Sequence, residues 1–179
     1  GCRGDGGAVL TNDEELFKRI KKSRFYGLNE IGEIDCWGFN SRMDEWQSSF
    51  LNEKLKFYRN HNETRRKNAR KYLDHFDTTI RWTENCVYHQ FVILCANRNA
   101  AKEKFDVADI PTMIHYSKML KDMPYLKDLI QFTECKNVAN HVLSIPVGPH
   151  LNENDVLKIC EMLLSIEGEI IEFEEIKFS

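Results

Sequence analysis

The reading of the fold turns on Gly38-Phe39-Asn40-Ser41-Arg42-Met43-Asp44-Glu45, reached through a loop over 32–37 and followed by a long charged helical region. The plain reading is a turn feeding a helix. Ser41 or Asn40 caps the first turn, and Asp44 and Glu45 stand where the positive end of the helix dipole favours acids. Asn40 and Arg42 add a neutral donor and a planar cation at that entrance, where free backbone N–H groups already favour a phosphate. Met43, Trp46, Gln47, Phe50 and Leu51 follow at helical spacing, so the entrance is expected to be anchored on a buried face.

Downstream, helices are expected over 43–56 and 57–76. Ala69, Tyr72, Leu73 and Phe76 give the second an i, i+3, i+4, i+7 face. Its Arg65, Arg66, Lys67, Arg70 and Lys71 are interrupted by Glu63 and Asp74 and read as a solvated face rather than a nucleic-acid patch. From Thr78 the pattern turns to β. Strands are expected over 79–82 and 87–95, the second a nearly continuous apolar run suited to a central position. A short helix over 100–105, a strand over 111–116, a loop with a short helix over 117–133 and a strand over 142–146 stopped by Pro146 follow. Asn152 caps a helix over 156–164 whose Val156, Ile159, Cys160 and Leu163 face inward. In the tail, Ile171 and Phe173 differ in parity from Ile176 and Phe178, which predicts a bulge or bend near Glu174-Glu175. Helices followed by strands predict an α+β layer, with helices on one face of a mostly antiparallel sheet.

Upstream, Gly4, Gly6 and Gly7 form a flexible turn before an expected short strand, Ala8-Val9-Leu10. Such glycines let backbone approach a ligand or another strand closely. Thr11 or Asn12 is expected to cap a helix with acids in its first turn, Leu16, Phe17 and Ile20 on its apolar face, and Gly27 at its end. The segment 1–7 reads as the interior of a loop, which predicts a longer chain.

Composition narrows the classes. At 179 residues, 42% hydrophobic and 30% charged, the chain is expected to be soluble and packed rather than disordered. A net charge of −3 argues against general affinity for nucleic acid or an anionic membrane. No apolar run approaches a membrane span. The six cysteines show no CxxC pair, so reduced, mostly buried thiols in a cytoplasmic protein are expected. The Asn62-Glu63-Thr64 sequon has no signal peptide beside it and is read as chance. His61, His75, His89, His141 and His150 form no metal-binding spacing, and no metal site is expected. His115 and Tyr116 end the strand over 111–116. A pleat turns only one of them to the core, and the plain reading is a packed tyrosine beside an exposed histidine. The residues alone describe an α/β chain with one anion-binding turn; they do not name a reaction.

Several stretches, in order, resemble the DegT family of pyridoxal-phosphate-dependent nucleotide-sugar aminotransferases. They are Gly4-Asp5-Gly6-Gly7-Ala8-Val9-Leu10-Thr11-Asn12-Asp13, Tyr26-Gly27, the 38–47 segment, Arg65-Arg66 with Ala69 and Tyr72, Ile114-His115-Tyr116, and Leu143-Ser144-Ile145-Pro146. The resemblance implies the C-terminal portion of a fold-type-I transferase: residues 1–42 would end the large cofactor-binding domain, and 43–179 would form an α+β small domain. It implies pyridoxal 5'-phosphate as cofactor, a homodimer with shared active sites, an amino-acid donor such as glutamate, and a nucleotide-linked keto-sugar from amino-sugar biosynthesis, as in lipopolysaccharide or antibiotic sugars. By that similarity Asn40 would bind the cofactor phosphate of the partner subunit, and Arg42, His115 and Tyr116 would lie near the nucleotide-sugar, Arg42 suited to its pyrophosphate. The family's catalytic lysine would stand a few positions before Gly1, so no catalytic residue is expected within the chain. Ser117-Lys118-Met119 stands where the family has a proline and a histidine, so no sugar contact is carried over from that loop. A sugar dehydratase of the same family, with histidine for the lysine, and a non-catalytic nucleotide-sugar-binding or dimerisation protein are the alternatives.

Overall fold

Short polar side chains set where the helices begin. In the computed structural model, which describes residues 3–75, 83, 85–126 and 137–176, α1 runs Glu14–Ser23 and is capped by Asp13. The Asp13 carboxylate accepts from the N–H groups of Glu15 (2.9 Å) and Leu16 (3.0 Å). Thr11, one of the two expected caps, instead accepts the N–H of Asp13. A carboxylate beside the first free N–H groups also meets the helix dipole, which a hydroxyl does not. The helix stops at Ser23, earlier than expected, and Gly27 closes it from outside by donating its N–H to the Lys22 carbonyl at 3.0 Å. The expected strand over 8–10 is absent: Ala8, Val9 and Leu10 are exposed and pair with no described residue. A strand needs a ladder partner, and propensity does not supply one.

α2 runs Glu45–Leu55 and is capped by Asp44, three to four residues after the expected Asn40 or Ser41. The Asp44 N–H donates to Gln47 Oε1 at 3.2 Å. Of the apolar face expected to anchor it, Trp46 is exposed and Met43, Phe50 and Leu51 are half-buried; only Gln47 is buried. α3 follows as Tyr58–Asp74. The chain divides into two units, Gly1–Tyr58 and Arg59–Ser179.

The second unit holds the core. β1 (Phe91–Leu94) and β2 (Val142–Ile145) pair antiparallel, Phe91 opposite Ile145 and Leu94 opposite Val142. β1 is shorter than the expected 87–95 and its burial alternates; β2 is buried at every residue. The reason is lateral cover. On one side β2 has β1, and on the other Met113 exchanges two backbone hydrogen bonds with Ser144 (2.7 and 3.0 Å). That bridge is all that forms of the strand expected over 111–116. β1 is extended at its end by an antiparallel bridge from Cys95 to Ile170. The sheet is therefore two-stranded among the described residues, with every pairing antiparallel. The strand expected over 79–82 lies outside the described residues, as do Phe76, Cys2, Cys135, Phe178 and residues 127–133 of the expected loop.

Three helices complete this core. α3 contributes Ala69 and Tyr72, both 0% exposed. The Tyr72 ring meets Phe91 edge to face at 5.3 Å, and its hydroxyl donates to the Pro146 carbonyl at 2.8 Å, which satisfies the one polar atom so buried. The sequon Asn62-Glu63-Thr64 lies within this helix. α4 (Arg98–Val107), capped by Asn97, buries Ala101 and Phe105 one turn apart. α5 (Glu153–Ser165) starts in a reciprocal capping box between Asn152 and Asp155, both bonds 2.9 Å, and buries Val156, Ile159, Cys160 and Leu163 as the spacing predicts. The break expected near Glu174-Glu175 is a 3-10 turn, Phe173–Glu175, rather than a bulge. Cys95 and Cys160 are buried while Cys36 and Cys86 are exposed, so burial holds for half of the described thiols. No helix among the described residues is long and apolar enough to cross a membrane.

Candidate functional site

In the first unit, two short backbone stretches clasp each other. The Phe39 N–H donates to Ser23 O (2.7 Å), the Tyr26 N–H to Phe39 O (3.0 Å) and the Ser41 N–H to Arg24 O (3.0 Å), so Phe25 and Asn40 face each other as an antiparallel pair. Two glycines permit the approach. A Cβ on Gly38 would stand 2.0 Å from Gly27 N, and one on Gly27 would stand 1.9 Å from Cys36 O. Gly27 also has φ +75°, a region that L side chains avoid. The clasp holds the Asn40–Arg42 turn out on a fixed backbone.

Within that turn Asn40 and Arg42 are brought together. Arg42 Nε donates to Asn40 Oδ1 at 2.8 Å. With its oxygen engaged, Asn40 is left its amide N–H donors for an anion. Arg24 supports the turn from behind, its Nε donating to Ser41 O at 3.2 Å. A cleft of about 750 Å³ opens beside them, lined by Gly6, Gly7 and Ala8 on one wall, Asn40, Ser41 and Arg42 on another, with Phe17 and Ile20 below and Lys21 and Arg24 adding charge. The glycine turn and the Asn40 turn, with Gly7 and Asn40 33 residues apart in sequence, thus share one cleft, in which three of the charged side chains are cationic and one, Asp5, is anionic. Gln47 ties the glycine segment to α2 by donating from Nε2 to Arg3 O at 3.2 Å. Behind the clasp, Lys22 pairs with Asp35 at 2.7 Å, and that hydrogen bond raises the pKa of the lysine further.

His115 and Tyr116 lie in the second unit, in the turn that follows the Met113 bridge. Their rings stand 5.5 Å apart, nearly perpendicular. Which one packs is the reverse of the expectation: Tyr116 is 73% exposed and His115 is half-buried. The chain has already left the strand at this point, so pleat alternation no longer decides direction, and a buried partner does. His115 Nδ1 meets the hydroxyl of Ser144, itself buried in β2, at 2.9 Å. That contact engages Nδ1, and Nε2 is the other polar atom of the imidazole. Ser144 and the rings of Phe25 and Tyr26, which flank Arg42, were not singled out by sequence spacing. Ser144 reads there as one more strand residue, and nothing in a Phe-Tyr pair marks a left-handed backbone.

A model of the DegT/DnrJ/EryC1/StrS aminotransferase family matches residues 2–164. Among curated proteins, the chain is 33% identical over 164 residues to the erythromycin biosynthesis sensory transduction protein EryC1 of Saccharopolyspora erythraea, covering 85% of this chain and 44% of that one. It is 31% identical over 164 residues to the dTDP-3-amino-3,6-dideoxy-alpha-D-galactopyranose transaminase of Aneurinibacillus thermoaerophilus, covering 87% and 45%. Among solved structures, S. venezuelae DesV superposes with a TM-score of 0.84 at 28% identity, covering 93% of this chain and 48% of that one. The chain spans about half the length of the relatives it matches.

Proposed function

The chain belongs to the DegT/DnrJ/EryC1/StrS aminotransferase family, and from that premise we propose that it is the C-terminal part of a pyridoxal-phosphate-dependent enzyme. That enzyme moves an amino group from an amino acid such as glutamate to a nucleotide-linked keto-sugar. The observation that carries the reading is the family match over residues 2–164. In this reading residues 1–42 end the large domain, 43–179 form the small domain, and the working unit is a homodimer.

The donor set beside the cleft suits the phosphate end of such a cofactor. Asn40 presents amide N–H groups, Arg42 a planar cation, and Gly6 and Gly7 let backbone come close. In this reading the residues of this cleft supply binding and orientation. Pyridoxal phosphate, when bound, supplies the carbonyl that takes up the donor's amino group and passes it to the sugar ketone. Asn40 would donate from Nδ2 to a phosphate oxygen of the cofactor held by the partner subunit. Arg42 offers its remaining N–H edge to the pyrophosphate of the nucleotide-sugar. His115, held at Nδ1 by Ser144, keeps Nε2 for a sugar or phosphate oxygen, and the exposed Tyr116 phenol contributes a second polar contact.

The test is turnover by the full-length protein with glutamate and a dTDP- or UDP-linked keto-sugar, followed by mass spectrometry. An amino-sugar product is expected, with product formation falling at least tenfold in Asn40→Ala, about the loss of one charge-assisted phosphate contact. Absence of product with every common amino donor would overturn the reading. One observation favours a second: the S. erythraea relative is named a sensory transduction protein. Nucleotide-sugar binding without turnover would support that reading instead.

A further inference from the structure

We propose that Phe25 and Tyr26 are positioning residues that hold the Arg42 guanidinium against two ring faces and aim its remaining N–H edge at a pyrophosphate. The proposal rests on the reading of Arg42 as a pyrophosphate contact. It adds the device that makes an exposed arginine selective for one direction.

The geometry is specific to this turn. The guanidinium carbon of Arg42 lies 5.1 Å from the centre of the Phe25 ring and 5.6 Å from that of Tyr26. The two rings stand edge to face, 5.5 Å apart at 64°, and make a corner for the cation. Nε is already engaged by Asn40 Oδ1 at 2.8 Å, and Nη2 lies 3.5 Å from the Tyr26 hydroxyl. Neighbouring side chains of an extended segment point to opposite faces, so two consecutive rings do not ordinarily meet one cation. Here they do because Tyr26 adopts a left-handed backbone, φ +58°. A bulky residue with a Cβ disfavours that conformation, whereas glycine does not. The backbone bond from the Tyr26 N–H to Phe39 O holds it there. An unfavourable conformation kept by a residue whose ring packs on Arg42, a cation of the cleft, points to a role for the ring.

What the clamp supplies is order. A free arginine on a surface spreads over many rotamers, and fixing it only on binding would cost that entropy. Stacking the planar group on two rings and tying Nε to Asn40 sets its plane in advance. Nη1 and the second N–H of Nη2 then remain as a two-pronged donor, which matches the paired oxygens of a diphosphate.

The experiment measures binding of inorganic pyrophosphate to the full-length protein by calorimetry, at one fixed salt concentration, beside each variant's melting midpoint. Arg42→Ala is expected to weaken binding by about tenfold, the loss of one charge-assisted contact. Tyr26→Leu is expected to weaken it by about threefold to fivefold, and Tyr26→Phe by less than about twofold, because the ring face does the holding. Tyr26→Gly relieves the backbone and is expected to keep or raise the melting midpoint while still losing affinity, which a purely structural role would not produce. In the Arg42→Ala background the Tyr26 substitutions are expected to cause no further loss. Wild-type affinity in Tyr26→Leu and Tyr26→Gly, or equal losses with and without Arg42, would overturn the positioning role and leave the Arg42 contact standing. Unchanged affinity in Arg42→Ala, or no measurable binding by the wild-type protein, would overturn both.

Discussion

The two units of this chain are built on opposite principles. In the second, twenty apolar or aromatic side chains among the described residues, from three helices, both strands and the turns around them, approach full burial, from Ala69 and Tyr72 through Leu143 to Ile176. In the first, only Gly27 and Gln47 are buried among the described residues. Its apolar side chains face outward, with Leu10 93%, Trp37 91%, Ile31 78% and Phe17 55% exposed. What orders the first unit is polar: the Asp13 and Asp44 caps, the backbone clasp around Gly27 and Gly38, and the Lys22–Asp35 pair. Hydrogen bonds and exposed ion pairs contribute modestly net of water, whereas burial supplies most of the stability of a domain. Geometry at the cleft is specified locally, while stability resides in the other unit.

The largest test of that contrast is a pair of truncations. Phe105→Ala, at a fully buried site, is expected to cost about 3–5 kcal/mol in denaturant unfolding of this chain. Phe17→Ala, on the exposed face of α1, is expected to stay within about 0.5 kcal/mol. Comparable losses at the two positions would dissolve the distinction. Next is Gly27→Ala, which places a methyl 1.9 Å from Cys36 O at a positive φ. It is expected to cost about 1–3 kcal/mol locally. The readout is faster proteolysis within residues 23–42 with no change in the unfolding midpoint of the second unit.

An alkaline titration sharpens the contrast by chemistry rather than by size. Burial pushes the Cys95 thiol up to about 11 from an ordinary 9.0, with Glu169 adding to the shift. Burial raises Cys160 and Tyr72 as well. Each is held neutral in the folded state, so its contribution is present below its own ordinary value, 9.0 for the thiols and 10.0 for the phenol, and is lost as pH rises through the raised one. Stability of the second unit is therefore expected to fall between about pH 9 and 11, on the order of 2 kcal/mol for Cys95. Cys95→Ala is expected to flatten that fall; an unchanged slope would mean the loss has another source. The smallest effect is at a cap. Asn152→Ala, which breaks the box with Asp155, is expected to cost about 1 kcal/mol, seen as a lower midpoint with an unchanged slope.

Legibility in the sequence followed the range of the interactions. α5 was readable because Asn152, Asp155 and the residues at 156, 159, 160 and 163 are neighbours along the chain. The inward Ala69 and Tyr72 of α3 and the stop at Pro146 were readable for the same reason. The helix starts were harder, since Thr11, Asn12 and Asp13 all suit a cap and only the folded turn shows that Asp13 takes the free N–H groups. The candidate site divided in the same way. Asn40 and Arg42 announced themselves by type and spacing, but the corner of rings around Arg42 depends on Tyr26 turning left-handed against Phe39. His115 was visible as a candidate, yet its burial was assigned to Tyr116, because its partner Ser144 is 29 residues away.

By itself, then, the sequence determined the helical segments, the inward-facing residues of α5, and the ordered series of motifs that carries the family resemblance. All of these rest on residues within a turn or two of one another. The tertiary structure decided which apolar faces are covered, that β2 rather than β1 is buried throughout, and how Asn40, Arg42 and the glycine turn come to share one cleft. Those outcomes depend on partners tens of residues apart. Burial and pairing are properties of two surfaces meeting, and no single stretch of chain carries both.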